Sequence, residues 1–123
     1  MAVLWGSDTA LTTQTAIDNS TEEFMGTIDL ATALSAHIQL EIDNEDGSSV
    51  TDDVIISVYA TLDASSEVFD DVAMMAFRIT PAAITLERMS FVVSGVYKFR
   101  IGALSAGATD TYAVGGDYRT RTT

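Results

Sequence analysis

The side chains able to do chemistry in this chain are mostly carboxylates. Eighteen Asp and Glu stand against six Lys and Arg, with one histidine, one tryptophan and no cysteine. The lack of cysteine removes thiol nucleophiles, thiolate metal sites and disulfides together. His37 is the only imidazole, and no serine sits in a G-x-S-x-G elbow that could pair with it. The acid pairs Asp52-Asp53 and Asp70-Asp71 would need a shaped sugar cleft, with two carboxyls at a set separation, to act as a glycosidase. Loop tips are the simpler place for them. Gly115-Gly116 has no helical segment after it, so it forms no phosphate cradle. These residues point to a protein that is not an enzyme and holds no cofactor or metal.

Two binding chemistries stay open. When "NEDGSSVTDD" is aligned on Gly47 as an EF-hand loop, Asn44, Asp46 and Asp53 fall at ligand positions, but Ile42 takes the place of the first aspartate. The EF-hand fails. A looser calcium site from Asp43, Glu45, Asp46, Asp52 or Asp53 would make the chain a calcium-dependent adhesion module. Trp5 with Tyr59, Tyr97, Tyr112 and Tyr118 could stack on sugars, or the tyrosines could be buried rings with satisfied hydroxyls.

Charge narrows the partners. Residues 1–77 carry a formal −15 with no Lys or Arg, and residues 78–123 carry +3. A chain this acidic repels phosphate backbones, so nucleic acid is not expected as a partner. The asymmetry suits either plain solubility or a contact between unlike faces of two subunits. No apolar run approaches the roughly 20 residues that span a bilayer, so no membrane association is expected. The apolar N-terminal run stops at Trp5 without a basic flank, and no signal peptide is expected. Synthesis in a reducing cytoplasm fits these features.

The elements that would position these groups are strands. Residues 1–23 show no sustained period and are expected to form an extended arm tipped by Val3, Leu4 and Trp5. Residues 24–123 are expected to form one folded domain with a short C-terminal tail. In it Phe24, Gly26, Ile28 and Leu30 share one face, and Ala36, Ile38, Leu40 and Ile42 another, with His37 turned outward. Val54, Ile56, Val58, Ala60 and Leu62 follow, then Met75, Phe77 and Ile79. A phase slip between Leu86 and Met89 suggests a bulge or a bend before Phe91 and Val93. Ser94-Gly95 reads as a hairpin corner, after which Tyr97, Phe99, Ile101 and Ala103 face inward while Lys98 and Arg100 face out. The acids of residues 41–53 or 63–71 are the expected counter-charges for these two bases. Tyr112, Val114 and Tyr118 mark a last strand loosened by Gly115-Gly116. About seven short strands separated by turns specify an all-β fold, a single antiparallel β-sandwich with an extended N-terminal arm.

Residues 58–63 (VYATLD), the Asp70-Asp71 pair, residues 91–102 (FVVSGVYKFRIG) and residues 109–111 (TDT) match a pattern found in small tailed-bacteriophage virion proteins. Through these motifs the chain resembles capsid decoration (cement) proteins over residues 36–112. It departs from them in the neutral "ALSAGAT" after the second strand, and in the arm and the "YRTRTT" tail. The resemblance implies a structural virion protein on the outer capsid surface that staples neighbouring major capsid subunits, commonly as a homotrimer. On that basis Val3, Leu4 and Trp5 are expected to anchor the arm, with Lys98, Arg100, Arg119 and Arg121 in capsid or subunit contacts. The alternative is a receptor- or glycan-binding module of a tail or head fibre.

Overall fold

The computed structural model describes residues 4–45, 51–63, 68–81 and 86–122. Alternating apolar residues build ten strands there and no helix. β1 (Leu4–Trp5), β2 (Thr9–Ala10) and β3 (Gln14–Ile17) are three short pieces of the arm. They are followed by β4 (Glu23–Asp29), β5 (Ser35–Asn44), β6 (Val54–Thr61), β7 (Met75–Ile79), β8 (Glu87–Ser94), β9 (Lys98–Ser105) and β10 (Tyr112–Thr122). Two antiparallel sheets result. One runs β1-β10-β5-β8, with β2 and β3 also on β10, and the other runs β4-β9-β6-β7. With the arm counted as one broken strand, each sheet has four members, and every connection but β6–β7 crosses between sheets. That strand order is a jelly roll, the double-sheet architecture of two Greek keys.

The core lies between the sheets and is written by the period-2 residues. Ile38, Leu40, Ile42, Val54, Ile56, Val58, Phe99, Ile101 and Val114 are all at most 1% exposed. The arm contributes Leu11 and Ile17 to the same cluster. It is also sewn across the sandwich: Thr12 N–H donates to the Met25 carbonyl at 3.2 Å, and the Gln14 amide donates to the Phe24 carbonyl at 3.0 Å. One side of the sandwich is thereby closed by the arm.

Several expectations change. Ser94-Gly95 does not join a hairpin, because β8 lies in one sheet and β9 in the other. Gly95 does take a positive φ of 77°, but the corner is an arch between layers. The Tyr97 N–H donates to the Thr61 carbonyl, and the Tyr97 carbonyl accepts from Leu30 N–H. Hairpin and arch need the same corner residue, and Phe99, Ile101 and Ala103 face inward as expected, but beside the corner Val96 packs on the core in place of Tyr97. In β4 the register shifts between Phe24 and Thr27, so Met25 turns into the core with Ile28 while Phe24 stays half-buried on the outer face. No bulge separates Leu86 from Met89: β8 pairs with β5 in continuous register from Glu87 to Ser94, and Leu86 lies outside the strand. Leu62 also falls beyond its strand and is exposed. Part of the acidic loop at 46–50, the segments 64–67 and 82–85, and Val3 lie outside the described residues.

Residues 118–122 are not a loose tail but the second half of β10, which pairs with β5 from Tyr112↔Asn44 to Arg121↔Ser35. The arm lies along the other edge of the same strand. This crowding explains Gly116, whose φ is +150° and whose added Cβ would strike the Gln39 carbonyl. The start of β10 is held by a reciprocal pair of carboxylates. Asp110 Oδ2 accepts the Thr51 and Asp52 N–H groups at 2.6 and 2.8 Å, and Asp52 Oδ2 accepts the Thr109 and Asp110 N–H groups, both at 2.8 Å. The buried Tyr112 hydroxyl donates to the Asp52 carbonyl. Burial and these neighbouring carboxylates push its ionisation well above the ordinary range.

Two predictions follow from this strand. Gly116→Ala is expected to cost about 3 kcal/mol or more, the sum of a strained φ and an unrelieved clash, read by urea unfolding. The Asp110 carboxyl is held below its ordinary value of 3.8, first by the Asp52 N–H and then by the Thr51 N–H. A depressed carboxyl stabilises the fold fully above the unfolded value, and that stability is lost as pH falls through the folded one. Asp110→Asn is therefore expected to lower the melting midpoint at pH 7 and to flatten its fall below about pH 4, measured by thermal melts at stepped pH.

Candidate interaction surfaces

The core needs only the inward residues of each strand, so function must use the outward ones. On the first sheet, pairing lays out a grid of side chains across three strands. Arg119, His37 and Val92 form one row from β10 through β5 to β8, and Asp117, Gln39 and Ser90 form the next. Trp5 pairs with Arg121 at the outer edge of this grid. Its indole stands 4.6 Å from the His37 ring at an interplanar angle of 79°, an edge-to-face contact that fixes the orientation of both. The indole is still 51% exposed. Together these residues and Asp8 line an open groove of about 580 Å³. A second hollow of about 420 Å³ continues along β10 and β5 over Ala113 and Gly115 and shares Asp117 with the first.

The second sheet presents a different outer face. Arg100, opposite Tyr59 and Thr27 in register, lays its guanidinium 3.9 Å from the centroid of Phe24, 4.9 Å from that of Phe69 and 5.8 Å from that of Tyr59. The Tyr59 hydroxyl donates to both Glu22 carboxylate oxygens, at 2.7 and 3.0 Å. Burial, followed by that carboxylate, raises the tyrosine's ionisation above its usual value. Among the described residues the partners of Arg100 are aromatic rings, not the acids expected from sequence, and its buried Nε has no hydrogen-bond partner. A weakly hydrated guanidinium tolerates this because ring faces stabilise its charge.

Beside this cluster lies an apolar patch that the sequence did not announce. Leu62, Val68, Val72 and Met74 are 78, 72, 79 and 42% exposed. Asp70 N–H and Met74 N–H donate to the Ala60 and Val58 carbonyls, holding this segment against β6 beyond the start of β7. Four large apolar side chains exposed within 13 residues are a concentration that marks contact surfaces. The only hint in the sequence was that Val68 and Val72 flank the Asp70-Asp71 pair of an acidic loop.

The residues singled out from sequence thus divide between two sides. Leu4, Trp5, Arg119 and Arg121 gather along the first sheet, and Lys98 and Arg100 lie on the second. Two of the acids considered for calcium, Asp52 and Asp53, are engaged within the fold, and Asp46 lies outside the described residues. Asp52 belongs to the β10 lock, and Asp53 accepts from Arg78 at 2.7 Å and from Thr80 at 2.6 Å. Those bonds, Thr80 first, hold the Asp53 carboxyl below its ordinary value. No group of three metal-binding side chains occurs among the described residues. His37 faces Trp5 with no serine or cysteine in the lining of its groove other than Ser90.

Arg100→Ala is expected to cost about 1–2 kcal/mol through lost ring stacking and lost cover for Phe24, with Arg100→Met recovering about half, as measured by urea unfolding.

The jelly roll is shared with proteins of distant sequence. No protein-family model matches the chain, and no curated protein matches it. A chain of infectious bursal disease virus, Gx strain, superposes with a TM-score of 0.60 at 14% identity, covering 98% of this chain and 32% of the viral one. A chain of the T13 particle of the same virus gives 0.53 at 14% identity over 97% and 31%. A protein of Bacillus endospore appendages, a family of disulfide-linked pili, gives 0.54 at 13% identity over 98% and 89%. This chain therefore spans about a third of the viral chains and nearly all of the pilus protein. At these identities the likeness is one of fold: a jelly roll of the kind found in virus particles and in a surface appendage.

Proposed function

We propose that this chain is a structural virion protein, a decoration (cement) protein that binds the outer surface of a phage capsid and staples neighbouring major capsid subunits. The observation that carries this is the architecture. The described chain is a single jelly roll, aligned over 98% of its length with a chain of a virus particle. The resemblance of residues 36–112 to phage decoration proteins supplies the finer assignment. Such a role needs no catalytic centre, only a stable sheet sandwich and an adhesive surface.

The apolar patch of Leu62, Val68, Val72 and Met74 is the docking surface, with Lys98 and the Arg100 cluster beside it. Burying a Val, Leu or Met side chain against a coat subunit is worth roughly 1.5–3 kcal/mol each before the cost of association. A homotrimer would present three such patches and convert modest single contacts into lasting attachment.

Deletion of residues 1–20 would remove Leu11 and Ile17 from the core, so point changes are the better probe of the arm. The wild-type chain is expected to co-sediment with purified capsid shells. The pair Leu62→Glu and Val72→Glu is expected to cut occupancy at least about tenfold, with the melting midpoint little changed because both sites are exposed. A wild-type chain that stays in the supernatant would sink the assignment. One observation favours a second reading, a self-assembling appendage subunit, since the pilus protein is matched along 89% of its length. Filaments of the purified chain in electron micrographs would select it.

A further inference from the structure

The outer face of the first sheet carries a trough whose lining is unlike the apolar patch. Its floor is the grid of Asp117, Gln39, Arg119 and Ser90, and its wall is the exposed indole of Trp5. Among the described residues, the side chains of Asp8, Gln39, Ser90, Asp117 and Arg119 make no hydrogen bond or ion pair within the chain. They project into a groove of about 580 Å³, within the size range of small-ligand sites. The backbone under Gln39, Asp117 and Arg119 is already paired on both sides, because β10 and β5 are interior strands; β8, which supplies Ser90, is the edge strand at the rim. An extended peptide gains its affinity from free backbone groups at a sheet edge, and the β10–β5 floor offers none.

We infer that this trough binds an oligosaccharide of neutral or amino sugars. Carboxylate, amide and guanidinium groups are planar and bidentate, and they match pairs of neighbouring hydroxyls as donors and acceptors. An upright indole supplies the apolar platform on which the C–H face of a pyranose packs. The second hollow, sharing Asp117, extends the trough along β10 past Glu41, Asp43 and Glu45. A trough that continues beyond one ring suits a chain of sugars, and its surplus of carboxylates disfavours acidic ones. Tyr59 and Tyr112 do not form the platform, since they spend their hydroxyls inside the fold, and Tyr118 reaches the trough only as a half-buried ring packed on the core. The inference does not depend on capsid attachment, which uses the other sheet.

Trp5 is the only tryptophan, so its emission reports occupancy of the trough directly. The test is an array of neutral, amino and acidic oligosaccharides, followed by fluorescence titration of the intact chain with the strongest binder. Neutral or amino-sugar oligosaccharides are expected to bind and to shift Trp5 emission saturably. Trp5→Ala, read on the array, and Asp117→Asn, read by titration, are each expected to weaken binding at least tenfold. Both should leave the melting midpoint unchanged, and Leu62→Glu with Val72→Glu should bind sugar normally. An array without binders, binding confined to acidic sugars, or binding that survives both trough substitutions would overturn the inference.

Discussion

The structure depends on β10 having a partner along both edges. β5 holds one edge in unbroken register, and the three arm pieces hold the other. A strand so enclosed must let neighbouring backbone approach closely, and Gly116 is where a side chain cannot fit. It must also start at one fixed residue, and the Asp52–Asp110 exchange of carboxylates for backbone N–H groups sets that residue. A slip of one position would carry Asp117 and Arg119 into the core and Tyr118 out of it. The outward grid, and the trough over it, exist because this register is held.

The order of the jelly roll also redistributes charge. Along the sequence, all the bases lie after residue 77, which suggests a molecule with an acidic half and a basic half. In space, each sheet interleaves early and late strands. Acidic β5 lies between β8 and β10, which carry Arg88, Arg119 and Arg121. Glu41 approaches Arg88 at 3.8 Å, and Asp53 meets Arg78 at 2.7 Å. The late bases are therefore spread among the early acids and not gathered into one basic half. What distinguishes the two outer faces is chemistry more than net charge. One bears unengaged polar groups under an indole, and the other bears stacked rings and exposed aliphatic side chains.

Strand content was legible because side-chain alternation is a local property. Ala36, Ile38, Leu40 and Ile42 declared their inward face, as did Val54, Ile56 and Val58, and each is at most 1% exposed. His37, Lys98 and Arg100 were placed on outward faces by the same rule, and there they are. The rule failed where a local irregularity reset its phase, at the shifted register that brings Met25 inward. It also failed where a strand ended early, as at Leu62. Asp52 and Asp53 read as loop-tip charges because nothing in their composition reveals that two loops 58 residues apart exchange hydrogen bonds.

What the sequence alone determined, then, is that the chain is an all-β sandwich and which side of most strands faces its core, since a period of two is written residue by residue. Only the tertiary structure decided to which sheet each strand belongs. Ser94-Gly95 supplies the same bend whether the next strand returns beside β8 or crosses to the other layer, so the turn residues carry no record of the choice. The crossing joins Trp5 to His37 and sets Asp117 on the same face, as it sets Phe69 over Arg100. Each pairing is between residues far apart in the chain, and it arises from strand order, which no local pattern encodes.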